Sequence, residues 1–168
     1  MRLLMNVYIQ VFRGTPMIVQ AVVIYYGAQY AGVFMDTTFA AIFIISINTG
    51  AYMAEIIRGG IVSVDKGQFE AAHAIGMTHW QTMTTVVLPQ AIRNILPALG
   101  NEFVTVIKES SIVSVIGIAD LMFRTNDVIA VTYKSLPCLA IAALCYFAMT
   151  FTGGRIIALA ERKMSHGK

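Results

Sequence analysis

The sequence predicts an all-α, polytopic integral membrane bundle with one water-exposed helix-bend-helix loop, and three observations carry that expectation. Hydrophobic residues make up 57% of the 168 residues and charged residues only 12%, with a mean hydropathy of +0.70; soluble domains carry about 25% charged residues. The apolar residues fall into runs long enough to cross a bilayer, since about 20 residues at 1.5 Å each span a hydrocarbon core of roughly 30 Å. Between two of these runs, over residues 60–90, lies a polar stretch with helix-capping signals, which so apolar a chain is expected to keep in water. A soluble helical protein would need far more charge to cover its surface.

Taken in order, Met1 to Phe12 reads as an amphipathic lead-in flanked by Arg2 and Arg13. Thr15-Pro16 offers a cap followed by proline at the first helical position. A first span is expected over about 16–35. Asp36-Thr37 makes a short turn, and a second span runs over about 38–57, stopped by Arg58-Gly59-Gly60. A third is expected over about 92–118, with Pro97 in its first turns. Residues 119–134 read as a polar connection, and a fourth span covers about 136–159 before the basic tail Arg162 to Lys168.

Within the loop, two helix starts are predicted. Asp65 with Gln68 and Thr78 with Gln81 each place Glu or Gln three residues after a cap residue. Gly76 between them suits a residue of positive φ at a helix end. Glu70, Ala71 and Ala72 offer one carboxylate beside two small side chains, where another backbone could approach closely.

Charge and cysteine usage narrow the function. The formal charge of +3 comes with no Lys/Arg stripe, so no nucleic-acid partner is expected. Cys138 and Cys145 lie seven apart on one helix face and read as packing residues, without metal-ligand or disulfide spacing. The N-terminus lacks the layout of a cleaved signal peptide. Positive residues are retained on the cytoplasmic side. In a four-span arrangement Arg2, Arg13, Arg58, Lys66, Arg93, Arg155, Arg162, Lys163 and Lys168 share one side, against Arg124 and Lys134 on the other. Both termini and the loop are therefore expected in the cytoplasm.

The spacing Glu70-Ala71-Ala72, three residues, Gly76, nine residues, Val86-Val87-Leu88-Pro89 resembles the EAA loop of the permease subunits of bacterial ABC importers, a pattern that ends Ile-x-Leu-Pro. Valine at 86 is the one departure. Phe12-Arg13-Gly14-Thr15-Pro16, Ala51 to Gly60, and Lys108-Glu109-Ser110-Ser111 before Val115-Ile116-Gly117 are similar to the branch that carries polar amino acids. The resemblance covers nearly the whole chain. It implies a subunit of the cytoplasmic (inner) membrane, paired with a second permease subunit, two ATP-binding cassette ATPase subunits and an extracytoplasmic amino-acid-binding protein. Glu70, Ala71, Ala72, Gly76, Leu88 and Pro89 would then couple the bundle to the ATPase. The branch usually has five spans, one of them ahead of Phe12, and the chain is expected to be a shortened form without it or to begin at an internal methionine.

Polar groups inside spans are costly and often line a water-filled path. Asn48 and Glu102 fall near the middle of their spans, and Asn101, Thr105 and Lys108 follow helical spacing along one face. These five, with Gln20, are the substrate-pathway candidates. Asn48 and Asn101 suit interhelical hydrogen bonds, and Lys108 with Glu109 a solvated rim, ahead of substrate contact, since most intramembrane polar groups find a protein partner; Glu102 alone suits either role. Glu55 with Arg58 reads as an ion pair at an interface. His73 and His79 lack the i, i+4 spacing of a helical zinc pair, and Trp80 suits headgroup anchoring or insertion into a partner's groove. Without a GxxxxGK phosphate loop the chain is not its own ATPase, and no catalytic residue, metal or cofactor is expected. A secondary transporter or channel, and a truncated non-transporting membrane scaffold, are the alternative readings.

Overall fold

A computed structural model describes residues 2–165, all in helices and short turns, with side-chain surroundings for 3–159 and 161. His166, Gly167 and Lys168 of the expected basic tail lie outside the described residues, as do the side chains of Arg162 and Lys163.

The chain opens with α1 (Arg2–Gly14) and α2 (Met17–Tyr30), which meet at a 111° bend. Pro16 has no N–H to continue a helix and disfavours the α region for the residue before it. Pro16 itself, extended at ψ 135°, occupies the cap position of α2. Thr15 was expected there, but its hydroxyl donates back to Val11 O (2.8 Å). At 14 residues α2 is only about 21 Å long by helical rise, and it ends short of the expected 35 where Gly32 turns at φ +80°.

Helix α3 (Thr37–Val62) starts on Asp36, whose carboxylate accepts from Phe39 N–H (3.0 Å). It does not stop at Arg58-Gly59-Gly60. Gly60 is instead a contact point: a Cβ there would overlap the Ile95 side chain and come within 3.4 Å of Ala91 O. The glycine serves close helix packing and not termination, so the helix runs on for a further turn.

After the polar loop, α6 (Leu88–Glu109) gives way to a 3-10 stretch, Ser110–Ile116, closed by Gly117 at φ +94°. The expected third span is therefore α-helical only as far as Glu109. By length and apolarity α3 and the C-terminal α8 (Ser135–Ser165) qualify as spans by themselves, with α1–α2 a further one if the bent pair is counted together. Helix α6 is more polar, carrying Arg93, Glu102, Lys108 and Glu109 together with Gln90, Asn94 and Asn101.

Residues 119–134 hold a helix that polarity concealed, α7 (Leu121–Thr132). Asp120 caps it by accepting from Phe123 N–H (2.8 Å) and also accepts from Tyr146 OH on α8 (3.3 Å). Tyr133, at φ +56°, ends it.

Helices α3 and α6 form the central pair; α8 packs on α6, α1 on α3, and α2 on α3 and the 3-10 stretch. Gly100 makes room for Ile157 of α8. One core joins Met17, Ala21, Ala40, Ala41, Ile44, Val113 and Ile116. The other joins Val64, Val87, Ala91 and Ile95 beneath the loop. Along α8, by contrast, Leu136, Ile141, Leu144, Phe147, Ile156 and Leu159 all point outward, a surface that acyl chains would cover and water would not tolerate. Cys145 is exposed there too, so it is not the packing residue it was expected to be.

Candidate functional site

The polar loop is a built structure. Helix α4 (Lys66–Ala74) starts on Asp65, which accepts from Gly67 N–H (2.7 Å). Its expected reciprocal partner Gln68 turns away and accepts from Gln90 Nε2 (3.3 Å). That bond ties the loop to α6, as does Asn94 Nδ2 donating to Ser63 Oγ (2.9 Å). Phe69 packs against the core of Val64, Val87 and Ile95, and Ala72, three residues on, is buried. Glu70 and Ala71 consequently face water. Of the two alanines expected to admit another backbone, Ala71 is open and Ala72 is used to seat the loop.

The bend follows from two hydrogen bonds and one glycine. Gly76 N–H donates to His73 O (2.9 Å) and Met77 N–H to Ala72 O (3.0 Å), with Gly76 at φ +85°. This pairing satisfies the last carbonyls of a helix and needs a left-handed residue at Gly76. Thr78 and Gln81 then form the expected reciprocal cap, with Gln81 N–H to Thr78 Oγ1 (3.3 Å) and Thr78 N–H to Gln81 Oε1 (2.8 Å). At the bend the apolar residues Ile75 and Trp80 are 79% and 75% exposed. His73 and His79 are exposed, and no cluster that could hold a metal occurs among the described residues.

From the cap the chain runs on as helix α5 (His79–Gln81), a π-helical stretch Thr82–Val87 and α6 without a break. Leu88 N–H reaches Met83 O, one residue further back than in an α-helix. The reason lies at exposed Pro89. Its ring would collide with the carbonyl four residues earlier and it has no N–H to offer, and a widened turn just ahead of it removes both conflicts. Leu88 is half-buried beside it.

The substrate-pathway candidates separate into two places. Asn48 and Gln20 are buried at 2% and 7% exposure. Asn48 Nδ2 donates to Gln20 Oε1 (2.8 Å) and to Phe12 O (3.4 Å). Gln20 Nε2 donates to Phe12 O (2.9 Å), Thr15 O (3.0 Å) and Thr15 Oγ1 (2.8 Å). These are the carbonyls that the break at Pro16 strips of helical partners. Tyr8 OH adds a bond to Ile47 O (2.6 Å). The sequence marked Gln20 and Asn48 as polar residues in apolar runs, but nothing in it told that they meet each other around a broken turn.

On α6, Asn101 and Lys108 are exposed, and Thr105, half-buried, donates to Asn101 O (3.1 Å) within the helix. Glu102 is half-buried and forms no ion pair among the described residues. Glu55 accepts from Arg58 Nε (3.0 Å), and Arg13 approaches it at 4.0 Å while lying over the Tyr52 ring (5.5 Å). The expected ion pair thus also draws in the end of α1.

Residues 1–166 match the family described as binding-protein-dependent transport system inner membrane component. The chain belongs to that family. Proteins it is similar to include the arginine transport system permease protein of Bacillus subtilis (44% identical over 162 residues, covering 94% of this chain and 72% of that protein). The glutamine transport system permease protein of Escherichia coli is 39% identical over 160 residues, covering 94% and 73%. A crystal structure of an amino acid ABC transporter with histidines superposes with a TM-score of 0.89 at 49% identity, covering 94% of this chain and 74% of that one. The exposed apolar face of α8 thereby belongs to a membrane protein.

Proposed function

We propose that this chain is the membrane-spanning permease subunit of an ATP-driven importer for a polar amino acid. Its loop would be gripped in the cytoplasm by an ATP-binding cassette ATPase, and the chain itself would catalyse nothing. The observation that carries the reading is the continuity of the helix that starts at Thr78. Beside it stand exposed Glu70 and Ala71, and further along it stand Asn101, Glu102, Thr105 and Lys108. Force applied at the loop would reach the candidate pathway through one continuous helical run, which lacks a backbone donor at Pro89 and again at Pro97.

In this reading Glu70, Ala71 and the bend at Gly76 form the docking surface, while Leu88 and Pro89 mark where the run enters the bundle. Nucleotide-driven closure of the ATPase pair moves the loop, and the bundle rocks between inward-open and outward-open states. A second permease subunit, identical or a sister, completes the pathway, and an extracytoplasmic binding protein delivers the amino acid. Both termini and the loop lie on the cytoplasmic side. Glutamine and arginine, named for the relatives, set the cargo class, with Glu102 and Lys108 offering an anionic and a cationic partner.

The test is ATP-dependent uptake by the assembled importer in vesicles. Glu70→Lys is expected to reduce co-purification of the ATPase and to lower uptake at least tenfold while the subunit still inserts. Glu102→Ala is expected to change the ranking of amino acids taken up while leaving ATPase association intact. Wild-type uptake and wild-type ATPase capture in Glu70→Lys would sink the coupling role. Unaltered transport kinetics for a panel of amino acids would remove Glu102 from the pathway. Chemical labelling of residues 63–85 from outside the cell would overturn the orientation.

A further inference from the structure

Between helix α4 and the bundle, the chain passes two weak places. One is the bend, where it changes direction at Gly76, φ +85°. The other is the widened turn Thr82–Val87 ahead of Pro89, where a backbone donor is missing and the hydrogen-bond step is longer than in an α-helix. A push on Glu70 or Ala71 that travelled along the chain alone would be partly absorbed at both.

Two sets of side-chain bonds bypass them. Gln90 lies beyond Pro89 on α6, and its Nε2 has one hydrogen for Val86 O on its own helical run (2.9 Å) and one for Gln68 Oε1 on α4 (3.3 Å). Asn94, one turn further along α6, donates from Nδ2 to Ser63 Oγ (2.9 Å), and the Ser63 hydroxyl in turn donates to Gly60 O (2.7 Å). The first set joins α4 to α6. The second joins the end of α3 to α6, where Gly60 lets Ile95 and Ala91 approach closely.

Gln90 and Asn94, spaced i, i+4, share one face of α6. Ala91 and Ile95, the next residue after each, form the adjacent stripe and are buried in the core with Val64 and Val87. The two stripes differ in what they can hold. Apolar contact is non-directional, so Phe69 packed on that core would still let α4 roll across α6. A hydrogen bond has a preferred distance and angle and fixes the orientation. Gln68, Ser63 and Asn94 are exposed and water competes for them, but the core beneath already holds the partners within reach. The bonds therefore contribute direction more than strength.

We propose that Gln90 and Asn94 are positioning residues of the coupling step: through Gln68 and Ser63 they brace α4 and the end of α3 against α6, so that the loop and the adjoining end of the bundle move as one body. The inference rests on the transport reading and adds to it a route for force that does not pass through the bend.

The experiment measures three quantities for the assembled importer in lipid vesicles: ATPase captured by the subunit, ATP hydrolysed, and amino acid imported per ATP hydrolysed. The Gln90→Met, Asn94→Leu double variant keeps side-chain size and loses both donors. Its capture and hydrolysis are expected to match wild type while import per ATP falls several-fold. A second comparison holds Gln90→Glu constant. Combined with Gln68→Glu it sets like charges across the brace and is expected to lower import per ATP; combined with Gln68→Lys it replaces the bond by an ion pair and is expected to restore it. Each comparison stands if the other variant fails to assemble. Residues that only stabilised the fold would lower capture and import together and leave import per ATP unchanged. Wild-type import per ATP in the double variant, or equal values for the two charge pairs, would overturn the proposal and leave the transport reading standing. A wild-type subunit that neither captures an ATPase nor imports amino acid with ATP would overturn the transport reading and the proposal with it.

Discussion

Proline interrupts the chain at 16 and again at 89, with opposite outcomes. At Pro16 the helix breaks, the direction changes by 111°, and the freed carbonyls of Phe12 and Thr15 are captured by the buried Gln20 amide, itself held by Asn48. At Pro89 the helix survives, because the turn ahead of it widens so that Leu88 N–H bonds to Met83 O. The difference is one of surroundings. Pro16 lies where side chains from α2 and α3 can replace the lost backbone bonds, which makes the break a fixed corner. Pro89, exposed as Pro16 is, follows a turn that has widened to accommodate it, and the helix runs on.

The contrast can be broken by substitution. The largest expected effect is Gln20→Leu, which removes the donor to Thr15 O and leaves Phe12 O and the Asn48 amide only their long bond to each other (3.4 Å). With about 1–3 kcal/mol for each stranded buried group, a loss of about 3 kcal/mol is expected, read as a lower unfolding midpoint of the reconstituted protein. A near-neutral result would mean that the corner is not held by this network.

Gly76→Val comes next. A β-branched residue at φ +85° costs about 2 kcal/mol, enough to unfold the bend locally. Faster hydrogen exchange confined to residues 66–81, together with a several-fold loss of ATP-dependent uptake, is the expected readout. Thr78→Ala removes the cap of the second loop helix, at about 1 kcal/mol. Its signature is faster exchange at the Gln81 amide, with exchange in α3 unchanged.

Pro89→Ala has the smallest expected effect on stability, within about 0.5 kcal/mol, as for surface changes that strand no buried group. If it proved as damaging as Gln20→Leu, the widened turn would be a strained element and the comparison with Pro16 would fail.

What the sequence reveals divides along the same line. Helices α3 and α8 are legible because long apolar runs need no partner to be recognised. The bend at Gly76 and the cap at Thr78 are legible because each motif is complete within a few residues. Helix α7 was hidden by reading polarity as irregularity, although Asp120 with its N-terminal cap position was a visible start signal. The early end of α6 at Glu109 and the widened turn at Thr82–Val87 depend on what packs around them. The Gln20–Asn48 pair spans 28 residues of sequence, a distance over which composition and periodicity are silent. For the pathway candidates the sequence located polar residues but not their neighbours, and the neighbours separate Asn48, fully engaged, from Glu102.

The unbroken run from His79 to Glu109 sets a mechanical scale. At 1.5 Å per residue it is on the order of 45 Å long, so a tilt of about ten degrees around its midpoint displaces each end by roughly 4 Å in opposite senses. Gly60 of α3 and Gly100 of α6, where neighbouring side chains press closest to the backbone, are the places where a bulkier residue would force the run away from its neighbours and so hinder such a tilt.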